Sequence, residues 1–78
     1  MDNLEKEIIK IITQVAKLSE RIDIKKEFSD LDIDSFSLIE IIFAIENKYN
    51  ITIAEDNFNV KNSEELIKLV RDILNSNG

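Results

Sequence analysis

Asp34-Ser35 is the pair in this chain best placed to take part in chemistry. A carboxylate and a hydroxyl lie side by side where a polar-apolar loop gives way to a strongly apolar helical run, Phe36-Ser37-Leu38-Ile39-Glu40 and onward. The first turn of a helix leaves N–H groups unpaired, and Asp and Ser oxygens are the side-chain groups that satisfy them. Either Asp34 or Ser35 can cap here. Ser37 followed three residues later by Glu40 also fits a capping box, so the first helical residue is open by about two positions. In every version Ser35 stands at the positive end of the helix, where a phosphate ester on its hydroxyl would meet unpaired N–H groups and the helix dipole. Ser35 does not read as a nucleophile. The chain has no histidine and no cysteine, and a serine hydroxyl needs a neighbouring base to attack. It reads as a serine that is acted upon or, taken alone, as a simple helix cap.

Asp30, Asp32 and Asp34 alternate like the first three ligands of an EF-hand calcium loop. The rest of that loop is missing: counting from Asp30, Ser35 falls where glycine is required and Ile41 where a bidentate glutamate is required.

The elements that must hold Asp34-Ser35 follow from periodicity. Asn3 can cap a first helix in which Leu4, Ile8, Ile11, Ile12, Val15 and Leu18 recur every three to four residues, opposite Glu5, Lys6, Lys10, Gln14 and Lys17. Residues 19–34 break that period. A loop of this length needs pinning, and Ile22, Ile24, Phe28, Leu31 and Ile33 are the pins available. The second helix spans about 36–49. At 100° per residue, Leu38, Ile41, Ile42, Ile45 and Tyr49 share one arc and face a core. Phe36, Ile39 and Phe43 fall on the other side among Glu40, Glu46 and Asn47. That much apolar area facing water marks a binding surface, unless the preceding loop folds over part of it, Ile39 being the residue most open to that fate. Residues 50–53 read as an extended connector and 54–58 as one helical turn at most, contacting the core through Phe58. A last helix begins at Asn62 or Ser63, carries Glu64 and Glu65 in its first turn, and turns Leu66, Leu69, Val70, Ile73 and Leu74 inward. The expected fold is all-α: a small four-helix bundle of three longer helices and one short one, with a long loop between the first two.

At 78 residues the chain suits a single domain over 1–78, with 75–78 fraying. With no cysteine, stability must come from packing. No apolar run is long enough to cross a bilayer and no signal pattern opens the chain, so the cytoplasm is the expected compartment. The net charge of −6 is local: residues 27–56 hold eight acids against one base, Lys48. Nucleic acid is excluded as a ligand by that sign, and the expected partners of this small monomer are proteins with basic patches.

Asp34-Ser35 followed by a large apolar residue, an apolar helix and Glu40, together with Ala44-Ile45-Glu46-Asn47-Lys48-Tyr49-Asn50-Ile51, resembles the acyl carrier protein family over roughly residues 28–74. In the first helix only the periodicity matches. The resemblance implies that Ser35 carries a covalent 4′-phosphopantetheine arm, donated by coenzyme A through a phosphopantetheinyl transferase. The arm's thiol would hold an acyl or aminoacyl group as a thioester. The carrier itself is no enzyme; loading enzymes and downstream transferases act on it. Partner recognition is then expected at Asp34, Phe36, Ser37, Ile39, Glu40, Phe43 and Glu46.

Asp32 stands where the family often has glycine, Phe36 where leucine is usual, and Ser37 where many fatty-acid carriers have an acid. Glu46-Asn47-Lys48 is less acidic than the same stretch in typical fatty-acid carriers. These departures favour a carrier of a specialised pathway. The segments also look like the D-alanyl carriers of teichoic acid modification. The competing class is an unmodified helical adaptor in which Ser35 only caps and the Phe36/Phe43 face docks one fixed partner.

Overall fold

The computed structural model describes residues 3–18 and 21–77, with Asn77 in its backbone only. Three α-helices carry the fold: α1 (Asn3–Val15), α2 (Ser35–Tyr49) and α3 (Ser63–Asn77). α1 packs against both of the others. Its inward stripe follows the expected period, with Ile8, Ile11 and Ile12 buried and Leu4 and Val15 packed at the margins; Leu18, expected on the same helix, lies past its end at Val15 and packs against the core from the turn. From α2 come Leu38, Ile41, Ile42 and Ile45, and from α3 Leu66, Ile67 and Val70. Each fully buried Ile or Leu contributes about 1.5–3 kcal/mol of transfer free energy, so this apolar centre dominates the stability.

The all-α class is as expected, while the helix count differs from the expected four. The short fourth helix is a three-residue 3-10 turn, Glu55–Asn57, and a second such turn, Phe28–Leu31, forms within the long loop. Asp56 and Asn57 favour turns over helix, and Phe58 then turns toward the core, which stops the helix from growing. Residues 50–53 make no strand; Ile53 is buried and Ile51 packs beside it, as an extended connector would allow.

The C-terminal ends of α1 and α2 are closed without glycine. After α1, Lys17 takes the left-handed conformation at φ 57°, the Leu18 N–H donates to the Thr13 carbonyl at 2.9 Å, and the Lys17 N–H donates to Gln14 at 3.3 Å. That is a Schellman closure with lysine where glycine is usual. Asn50 closes α2 in the same conformation, at φ 54°. α3 starts from Asn62, whose side-chain oxygen accepts the Glu65 N–H at 2.8 Å; the Glu65 carboxylate in turn accepts from the Lys61 N–H at 2.8 Å. The helix continues through Asn77, and Gly78, the end of the expected fraying tail, lies outside the described residues.

The long loop is pinned by the predicted side chains: Phe28 and Ile33 are buried, and Ile22, Ile24 and Leu31 pack against the core. It is also tied to the start of α3 by backbone. The Phe28 N–H donates to the Lys61 carbonyl at 2.8 Å, the Glu64 N–H to the Ile24 carbonyl at 3.0 Å, and the Asn62 side-chain amide to the Lys25 carbonyl at 3.4 Å. Residues 24–28 and 61–64 thus form a clasp, with an isolated antiparallel bridge between Glu27 and Asn62 at its centre.

Candidate functional site

Asp34, in extended conformation at ψ 177°, is the cap of α2: its carboxylate accepts the Ser37 N–H at 2.8 Å. This removes the other two options for that helix end. Ser35 is the first helical residue and Ser37 is the donor to the cap. The Ser37 backbone N–H first, and then its side chain, hold the Asp34 carboxyl below its ordinary 3.8. Ser35 itself is exposed. Its hydroxyl is therefore open to solvent at the first turn of a fifteen-residue helix, beside a carboxylate that is anionic at neutral pH.

Down the outward side of α2, Phe36 is 69% exposed and Phe43 53%. Ile39 is half-buried between them in the i, i+3, i+7 row, and Glu40 is exposed next to that row. The loop leaves both rings uncovered. Glu46 stands apart from this face in one respect: its carboxylate accepts the Ile53 N–H at 2.7 Å, so it also ties the end of α2 to the connector. Lys48, the one base of the acidic middle, pairs with Glu7 of α1 at 3.2 Å. Asp30, Asp32 and Asp34 do not converge; among the described residues no three carboxylates are grouped to hold a metal ion.

A cleft of about 260 Å³ opens beside Ser35. Its walls are Phe28, Ile33, Leu38 and Val60, and Glu27, Asp34 and Lys61 stand at its polar edge. Sequence reasoning did not find Val60 or Lys61. Val60 is a single apolar residue between polar neighbours in a short loop, with no period to mark it, and only the clasp brings it opposite Ser35.

A serine bearing a phosphodiester and an extended, partly apolar arm needs an accessible hydroxyl, a surface free of bulky cover and a place for the arm to rest. These residues fit that group: the hydroxyl is open, no bulky chain closes over it, and an apolar-walled cleft begins at the same residue.

Residues 6–75 match the sequence model described as the phosphopantetheine attachment site. Two acyl carrier proteins of Rickettsia bellii are similar along their length. That of strain RML369-C is 31% identical, across 96% of this chain and 83% of the relative, and that of strain OSU 85-389 is 32% identical, across 96% and 88%. No solved structure matches at comparable significance. A match over this length makes the three-helix bundle a carrier domain of the phosphopantetheine-attachment class. The chain belongs to the acyl carrier protein family.

Proposed function

We propose that Ser35 is the residue that accepts 4′-phosphopantetheine from coenzyme A, through a phosphopantetheinyl transferase, and that the chain is a monomeric cytoplasmic carrier of acyl or aminoacyl groups in a specialised biosynthetic pathway. When attached, the arm supplies a thiol that holds the cargo as a thioester. The observation that carries the reading is the placement of Ser35: exposed, first in α2, next to the cap carboxylate and at the mouth of the apolar cleft. The protein's own residues do the presenting. Asp34 orders the first turn and puts a fixed negative charge beside the hydroxyl, a feature the transferase can engage. Phe36, Ile39, Glu40 and Phe43 offer enzymes a mixed apolar and acidic face, with Ser37 and Glu46 at its two ends.

Intact mass after coexpression with a phosphopantetheinyl transferase tests this directly. The wild type gains the mass of the arm, and Ser35→Ala keeps its helices but never gains it, since Asp34 remains to cap. Modification that persists in Ser35→Ala would overturn the assignment. Asp34→Asn still caps a helix, so it should fold normally while being modified more slowly than the wild type; equal rates would show that the charge plays no part.

A further inference from the structure

One cation shares the cleft with Ser35. Among the described residues lining it, Lys61 alone is positive, and Glu27 and Asp34 line the same cleft. Its main chain is fixed on both sides: the carbonyl accepts from Phe28 and the N–H donates to Glu65, each at 2.8 Å. Its ammonium takes part in no ion pair with the described residues. An anchored backbone with an uncommitted, long-stemmed charge is the arrangement of a residue held ready for an anion.

We propose that the Lys61 ammonium is the counter-ion of the phosphodiester on Ser35, and that it draws the root of the arm across the cleft toward Val60. This rests on the reading of Ser35 as the attachment residue. The argument is one of charge and supply. A phosphodiester on Ser35 adds an anion beside the Asp34 carboxylate, within a stretch of eight acids and one base, and that base is already paired with Glu7. The end of α2 cannot compensate fully, because Asp34 occupies the Ser37 N–H and its carbonyl takes the Leu38 N–H. Lys61 is the compensating charge the fold places within the same cleft. Its pull also gives the arm a direction, away from Phe36 and Phe43, which leaves the outward face of α2 clear for enzymes.

The test compares arm-loaded wild type, Lys61→Gln, Lys61→Arg and, as a control for general charge, Lys68→Gln on the surface of α3, with loading verified by mass and folding by thermal melts. Phosphorus NMR is the readout. The phosphorus resonance should shift in Lys61→Gln, return toward the wild-type position in Lys61→Arg and stay put in Lys68→Gln. The Lys61 side-chain resonances should move when the wild type is loaded, with both effects shrinking as salt screens the pair. Identical phosphorus resonances in wild type and Lys61→Gln, or Lys61 signals unchanged by loading, would overturn the proposal while leaving the carrier reading intact. Failure of the wild type to gain the arm's mass would instead overturn both.

Discussion

Asp34 serves the fold and the site with the same carboxylate, and acid separates the two. Its folded-state carboxyl is held below 3.8 by the Ser37 N–H and side chain. A carboxyl lowered by folding contributes its stability above the unfolded value and loses it as pH falls through the lowered one. Asn caps without titrating, so the wild type should lose stability relative to Asp34→Asn only in that acid range. Melts of both proteins from neutral pH downward check this; a difference that stays flat through the acid range would mean the carboxylate does not cap. The adjacent positions Ile42 and Phe43 make the opposite contrast of burial. Phe43→Ala should cost under about 1 kcal/mol, since its ring is already half in water, whereas Ile42→Ala should cost about 2–5 kcal/mol. Denaturant unfolding of the pair decides it, and a Phe43→Ala loss as large as that of Ile42→Ala would remove the ground for a docking face. The burial of Ile42 and the exposure of Phe43 are legible from helical angle alone, because α2 is long enough for its period to fix which side chains face in.

Helix ends were less legible than helix faces. The only glycine in the chain is Gly78, so no glycine marks where the chain turns left-handed. Lys17, Asp32 and Asn50 take that conformation instead, at φ 57°, 60° and 54°. Asn and Asp tolerate it; lysine does so less readily. Only the resemblance pointed to Asp32, as a position where related carriers often have glycine. Lys17→Gly should stabilise the protein by about 0.5–1 kcal/mol, because relief at the closure of α1 outweighs the looser unfolded chain. A lower melting temperature for Lys17→Gly would contradict the Schellman closure. The period of α3 turns Leu66, Leu69, Val70, Ile73 and Leu74 inward, yet Ile67 is also buried. The loop around Ile24 reaches the side of the helix that carries Ile67, which widens the covered arc beyond what an isolated helix predicts. Ser63, at the start of α3, is wholly buried and its hydroxyl has no partner among the described residues. Ser63→Ala should therefore hold or raise the melting temperature, a clear loss being the result that contradicts an unsatisfied hydroxyl.

For the molecule as a whole, the radius of gyration of 11.5 Å is that of a folded chain of this length. The chain's single tyrosine reports on that folded state. Burial pushes the Tyr49 phenol above its ordinary 10.0, against the pull of Lys48, whose ammonium lies 6.0 Å from the ring centre. A phenol raised by folding stays neutral in the native protein, so its contribution is complete below the unfolded value and is lost as pH climbs past it. Tyrosinate absorbance in an alkaline titration should therefore lag a model peptide, and that lag should vanish in denaturant. Titration at the peptide's own value in the native protein would place the phenol in water. The Lys48–Glu7 pair is nearly half exposed on both sides, and its removal should change stability little. What the sequence could not show is how distant stretches meet: Val60 and Lys61 look like ordinary loop residues until the clasp sets them across from Ser35.

That clasp also has a consequence in time. It joins positions 37 apart, and closing a loop of that length costs about 3 kcal/mol of chain entropy, whereas α2 inside it can form from neighbours in sequence. The bonds from Phe28 to Lys61 and from Glu64 to Ile24 should then be among the last to close and the first to open. In native-state hydrogen exchange, the Phe28 and Glu64 amides should trade their hydrogens ahead of those in the middle of α2. Each such opening separates Phe28 from Lys61, two walls of the cleft beside Ser35, so the surroundings of the serine run on a faster clock than the unfolding of the bundle that carries it.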